Sequence, residues 1–207
     1  MNFHKEVASP ELATLLEGLM GDEGLRDFHL VGGTALALRF GHRVSVDIDL
    51  FSVELFDSAA LAEHLGQAWG MTEGEALRNT VRGIISGIKV DCITHAYPLL
   101  GPVERVAEVR MASLADLAAM KVNAIANRGG KKDFWDLAEL LRHFSVDELL
   151  AFVQRKYQGD SVWNARKSLC YFVDAEEDPP PRDLRGMGWE EVKSFIVSRV
   201  ALGSTSD

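Results

Sequence analysis

The chain has 207 residues, of which 47% are hydrophobic and 26% charged, a balance that excludes a disordered protein and fits one globular domain or a domain with a helical extension. No run approaches the roughly 18 apolar residues of a membrane span, and the opening MNFHKEVASPEL lacks the apolar centre of a signal peptide. The net charge of −9 argues against broad nucleic-acid binding, which rests on basic surface, but leaves room for a local patch such as Arg128, Lys131 and Lys132.

Ser9-Pro10 opens a predicted helix with Leu12, Leu15, Leu16 and Leu19 at helical spacing. A short strand over 28–31 runs into Gly32-Gly33, a helix over 34–40 follows, and Gly41 closes it. Residues 46–51 are the next strand, with Val46, Ile48 and Leu50 expected on the core face and Asp47 and Asp49 together on the other. A helix capped by Asp57 or Ser58 extends to about Trp69. Two strands, 79–85 and 88–94, are joined by Ser86-Gly87 as a hairpin. This half is α/β, with at least four strands.

The character changes at Ser113. Helices are predicted from there to Asn127, from about Asp133 to His143, from the capping box at Ser145–Glu148, over 161–172, and over 189–202 with Val192, Phe195, Ile196 and Val200 on one face. Asp178-Pro179-Pro180-Pro181 reads as an acidic linker, and 203–207 as a disordered end. Cys92 and Cys170, in a strand-like and a helix-like run, have no ligand spacing. Both are expected to be buried reduced thiols, which points to the cytoplasm.

Two carboxylates side by side repel each other and call for a cation, while a Gly-Gly turn at a helix start offers bare N–H groups to an anion. Divalent metal beside a phosphate-binding turn is equipment for phosphoryl or nucleotidyl transfer. Asp91, in the apolar strand Ile88-Lys89-Val90-Asp91-Cys92-Ile93, is costly to bury unless neutralised. Either Lys89 or Arg82 pairs with it, or it joins Asp47 and Asp49 as a third oxygen ligand for a hard cation such as Mg²⁺. Lys121, in an apolar helix, either snorkels or meets a triphosphate. Asp133 either caps the helix it begins or, with Asp136, orients Lys121, Arg128 or a bound base.

The chain resembles nucleotidyltransferases of the AbiEii/AbiGii toxin family, a branch of the DNA polymerase β-like superfamily. Val31-Gly32-Gly33, Asp47-Ile48-Asp49-Leu50 and Asp91 match the superfamily pattern in order and spacing. GGTALALRFGHRVSVDIDLF (with Thr34, His42, Arg43 and Ser45), LADLAAMKVNAIANRGGKKDFWDLAELL, and the tail CYFVDAEEDPPP…GMGWEEVKSF carry the narrower match over nearly the whole chain. The resemblance implies an α+β protein: a mixed β-sheet of nucleotidyltransferase type with flanking helices over 1–110, then a helical bundle over 111–207.

It further implies Asp47, Asp49 and Asp91 as catalytic residues and ligands of Mg²⁺ or Mn²⁺, with Asp91 helping to activate the attacking hydroxyl. Gly32, Gly33, Thr34, Arg43, Ser45, Lys121, Asp133 and Asp136 would bind the NTP or support those that do. The implied reaction is transfer of NMP to an acceptor hydroxyl, foremost an RNA or tRNA end. The implied setting is a type IV toxin–antitoxin or phage-defence system, with an antitoxin that forms no stable complex and no membrane partner. The alternatives are an inactive nucleotide-binding relative, a protein-modifying nucleotidyltransferase, and a purely structural module.

Overall fold

A computed structural model describes residues 4–158 and 161–202, and within 161–164 the backbone alone. The expected end segment, 203–207, lies outside the described residues. The chain forms two compact units: residues 1–39, 45–98 and 102–112 make the first, and residues 40–44, 99–101 and 113–207 the second.

The first unit is built on a seven-stranded mixed sheet. Its strands are β1 (His29–Val31), β2 (Ile48–Ser52), β3 (Thr72–Leu77), β4 (Thr80–Ile85), β5 (Ile88–Thr94), β6 (Glu104–Val106) and β7 (Val109–Met111), in the order β3-β4-β5-β2-β1-β7-β6. β2 runs parallel to β5 and β1 parallel to β7, and the remaining neighbours are antiparallel. Helices α1 (Pro10–Gly21), α2 (Gly32–Phe40) and α3 (Ser58–Trp69) accompany it.

Local chemistry explains the boundaries. The Ser9 hydroxyl accepts from Leu12 N–H at 3.1 Å, with Pro10 in the first turn, and α1 buries Leu12, Leu15, Leu16, Leu19 and Met20. Asp57 caps α3 through the N–H groups of Ala59 and Ala60, and Gly70, left-handed at φ 65°, ends it. Ser86 (φ 52°) and Gly87 (φ 78°) give the β4–β5 hairpin the two successive positive φ values of a type I′ turn. The Arg110 guanidinium donates to the carbonyls of Met20, Leu25 and Phe28 at 2.6–2.9 Å, fastening the α1–β1 connection to β7.

Three strands were not expected. β3 is exposed along its whole length, so it has no alternation of apolar residues, and β6 and β7 have three residues each. The acidic strand starts at Ile48, later than predicted. Val46 lies outside it and is 65% exposed instead of facing the core.

The second unit is helical: α4 (Leu114–Arg128), α5 (Lys131–Leu140), α6 (Val146–Tyr157), α7 (Ser161–Ser168) and α8 (Trp189–Leu202). α5 begins directly after Gly130, because Asp133 accepts from the Gly130 N–H at 3.1 Å from the third helical position. The acidic proline-rich stretch is more than a linker, since Asp178 accepts from the Lys131 N–H at 2.9 Å at the start of α5. Trp135 and Trp189 stack with centroids 5.6 Å apart, and Phe134 and Phe172 pack beside them. α7 stops at Ser168, which leaves Cys170 half-buried beyond its end, whereas Cys92 is buried in β5 with its thiol pKa pushed up to about 12 by burial and the neighbouring Asp91 charge.

Asp116 and Lys156, both fully buried, form a 2.7 Å ion pair. The Asp116 carboxylate also accepts from the Ser113 hydroxyl and from the N–H groups of Leu100 and Gly101 at 3.0–3.2 Å, which ties residues 99–101 to α4. Burial opposes its ionisation, but Lys156, Ser113 and Leu100 outweigh it and lower the pKa. Lys156→Met leaves that carboxylate buried without its cation and is expected to cost about 3 kcal/mol in urea unfolding. Removing the more exposed pair Arg166–Asp147 should cost no more than about 1 kcal/mol.

Candidate active site

In the first unit, Val31 leads directly into Gly32, the first residue of α2. Gly32 adopts φ 71°, and a Cβ there would collide with the Asp49 carboxylate. The bare backbone therefore lets the acidic strand approach the helix N-terminus, where unsatisfied N–H groups favour negative charge. Gly32→Ala is expected to lose about 2 kcal/mol or more of stability and to displace Asp49. Gly66→Ala, in open space within α3, should instead gain up to about 1 kcal/mol in the same unfolding assay.

Pairing register brings two of the predicted carboxylates together. Asp49 lies opposite Val31 on β1 and opposite Asp91 on β5, because β2 and β5 are parallel and in step from Ile48–Val90 onward. Asp47 precedes the strand, and its carbonyl accepts from the buried Thr34 hydroxyl, which also bonds the Ser45 hydroxyl at 2.8 Å. Thr34 and Ser45 thus use their hydroxyls to hold the chain that presents Asp47.

Asp91 is 6% exposed. Its Oδ2 meets Lys89 Nζ at 3.0 Å and Arg82 Nε at 3.6 Å, while its Oδ1 is buried with no hydrogen-bond partner. Both sequence alternatives therefore bear on the one carboxylate: one oxygen is neutralised by cations and the other lacks a donor. Carboxylate oxygens and a partnerless buried acceptor suit a hard cation in their chemistry. Among the described residues, no three Asp, Glu, His or Cys side chains converge on a metal-sized point.

In the second unit, Asp136 is the centre of a buried charge network. Arg43 donates to it twice, from Nε at 2.7 Å and from its terminal nitrogen at 2.9 Å. His42 Nε2 lies 2.7 Å from the same carboxylate, and Lys121 Nζ lies 2.8 Å away. Lys121 also reaches Asp133 at 2.6 Å. The ionised Asp136 can only accept, so His42 donates from Nε2 and its buried Nδ1 is left without a partner. Burial works against ionising Asp136, yet the Arg43 and Lys121 charges and the His42 bond hold its pKa well below the ordinary carboxylate value. Burial likewise works against the Lys121 ammonium, and Asp136 and Asp133 raise its pKa in spite of it. Lys121 does not snorkel, because its side chain is 7% exposed and its ammonium is held by two carboxylates.

The local basic cluster divides. Arg128 and Lys132 are exposed, but Lys131 is buried, donating from Nζ to the Glu176 carbonyl at 2.9 Å and lying over the Trp189 ring. His42 as a partner of Asp136 and the Asp116–Lys156 pair were missed from sequence. The adjacency of His42 to Arg43 was the available signal for the first; the second has no local signature.

The family model described as nucleotidyl transferase AbiEii toxin of type IV toxin–antitoxin systems matches residues 14–98 and 83–186. An uncharacterized protein of Aquifex aeolicus, aq_aa25, is 37% identical over 180 residues, covering 84% of this chain and 86% of its own. Among solved structures, JHP933 from Helicobacter pylori superposes with a TM-score of 0.57 at 18% identity, covering 96% of this chain and 89% of the other. The nucleotidyltransferase toxin MenT4 from Mycobacterium tuberculosis superposes with a TM-score of 0.52 at 13% identity, covering 94% and 90%. These structural likenesses establish the fold: a mixed sheet of nucleotidyltransferase type followed by helices.

Proposed function

The chain belongs to the AbiEii nucleotidyl transferase toxin family, and from that premise we propose that it transfers a nucleoside monophosphate from an NTP to an acceptor hydroxyl, with an RNA 3′ end as acceptor. The observation that carries this reading is the in-register pair Asp49–Asp91 on adjacent parallel strands, next to a glycine whose missing Cβ makes room for Asp49.

Asp47 and Asp49 would hold Mg²⁺ or Mn²⁺, with Asp91 completing the ligand set. Such a cation would neutralise charge developing on the α-phosphate and ease deprotonation of the acceptor hydroxyl. The chain's own residues do the rest. The N–H groups at the start of α2, at Gly32, Gly33 and Thr34, would offer the triphosphate the positive end of the helix. Thr34 and Ser45 fix the backbone that presents Asp47. The Asp91 carboxylate, whose Oδ1 has no hydrogen-bond donor, would take the proton of the attacking hydroxyl. In the helical unit, Asp133 and Asp136 hold the Lys121 ammonium and Arg43 holds Asp136; a nucleotide-binding role for these four residues is part of the same proposal.

A toxin role opposed by an antitoxin that forms no stable complex, and a cytoplasmic site of action, belong to the same proposal. No helix among the described residues is long and apolar enough to cross a membrane.

Incubation with each α-labelled NTP, Mg²⁺ and total tRNA tests the acceptor. Label in tRNA with one or more nucleotides is the expected result, and unlabelled tRNA with all four would sink the RNA assignment. The hold of Lys89 and Arg82 on Asp91 favours one second reading, a nucleotide-binding relative without turnover. Calorimetric NTP binding with no pyrophosphate release on any acceptor would select it.

A further inference from the structure

The sheet face that carries Asp49 continues as a polar and aromatic surface. Side chains on this face alternate along each strand: Asp49 and Phe51 on β2, Lys89, Asp91 and Ile93 on β5, and Thr80, Arg82 and Ile84 on β4. Register sets Asp91 between Asp49 and Arg82, with Glu75 beyond Arg82 on β3. The opposite face is packed, with Ile48, Leu50, Val81, Ile85, Val90 and Cys92 buried. On the Asp49 face, Arg82 and Lys89 are 48% and 55% exposed.

An aromatic ledge closes one end of this face. The Phe51 ring stacks on His95 with centroids 5.3 Å apart, and His95 meets Tyr97 at 4.8 Å. Tyr97 is 44% exposed. Arg78, exposed in the β3–β4 turn, is at the same end, since the neighbouring Asn79 accepts from Thr94 N–H at 2.9 Å at the close of β5. Phe51 is two residues along β2 from Asp49, about 7 Å at the usual strand rise.

Aromatic faces beside exposed cations suit single-stranded nucleic acid, because bases stack on rings without regard to sequence while phosphates meet arginine and lysine. Tyrosine and arginine are enriched at protein interfaces too; it is the nearness of this ledge to Asp49, the proposed site of nucleotidyl transfer, that selects the acceptor strand as its occupant. Lys89 and Arg82 also offset the Asp91 charge, which would otherwise repel a polyanion. We propose that this face binds the single-stranded end of the acceptor RNA, with a base on Tyr97 and His95 and phosphates on Arg78, Arg82 and Lys89. The assignment rests on the nucleotidyl-transfer reading and supplies its acceptor with a site.

Anisotropy titration of the full chain with a labelled single-stranded RNA 3′ oligonucleotide, at several salt concentrations, tests it. Tyr97→Ala is expected to weaken binding about tenfold, and Tyr97→Phe to restore it. Arg78→Gln, at an exposed turn, should lower the slope of log K against log salt by roughly 0.7, one single-strand phosphate. Unchanged affinity in Tyr97→Ala with an unchanged slope in Arg78→Gln overturns the proposal, as does absence of RNA binding by the parent at about 50 mM salt. Mn²⁺–nucleotide binding by the parent and by Asp49→Asn, measured in parallel, reads the catalytic assignment separately. If that binding depends on Asp49 while RNA affinity ignores Tyr97 and Arg78, the surface fails and the transfer reading stands.

Discussion

Asp136→Ala is expected to cost about 5 kcal/mol of folding stability, the upper end of what losing one partner of a buried ion pair costs. The carboxylate is fully buried and receives the Arg43 guanidinium, the Lys121 ammonium and the His42 ring together. Its removal takes from Arg43 the acceptor of two of its hydrogen bonds and from Lys121 one of its two carboxylates, with both side chains at 7% exposure or less. Such cations are strongly penalised away from water. The pH dependence of stability carries the same signature. Asp136 has a depressed pKa in the folded protein, so its contribution is present above the unfolded carboxylate value of about 3.9 and is lost as pH falls through the folded value. Lys121 has a raised pKa, so its contribution is present below about 10.4 and is lost as pH rises through the folded value. Urea unfolding across that range should show the parent's advantage over Asp136→Ala shrinking at the acid end. An equal loss at every pH would show that Asp136 acts through packing and not through charge.

That network also marks where reading the sequence reaches its end. β5 was legible to the residue, since its apolar run is bounded by a Ser-Gly turn, and the caps at Ser9, Asp57, Ser113 and Ser145 are local signals that the fold uses as expected. The pairing of Asp49 with Asp91 needed the strand order, because parallel strands carry no turn to fix their register. Arg43 and Asp136 are 93 positions apart, and nothing near either residue names the other. Val46 misled because alternation alone cannot tell where pairing begins. Lys131 looked like part of a basic patch, yet the Glu176 carbonyl and the Trp189 ring draw it inward from the tail. Residue types were legible at the candidate site; their partners, which are set by distant chain, were not.

Asp49→Asn carries the second large expected effect: a fall of roughly 10³-fold in nucleotidyl transfer, the equivalent of about 4 kcal/mol of transition-state stabilisation by a bound cation. Asp49 is singled out because β1 and β5 flank it in register and Gly32 fits against its carboxylate. The amide keeps the size and can still accept a hydrogen bond, but it brings no charge to a divalent ion. Mn²⁺ affinity should therefore fall together with the rate, while the unfolding midpoint stays within the range of ordinary surface substitutions. A loss of rate with Mn²⁺ affinity intact would assign Asp49 to substrate positioning and remove it from the metal site.

Metal-dependent nucleotidyl transfer by this acidic strand is tested most directly by pyrophosphate release. The 207-residue chain is incubated with the four NTPs, Mg²⁺ and a total RNA and protein extract as acceptor, beside Asp49→Asn and a sample with chelator. Pyrophosphate release by the parent, matched by label retained in acceptor and lost in both controls, is the predicted result. Release that is absent in the parent, or equal in the parent and Asp49→Asn, would contradict it.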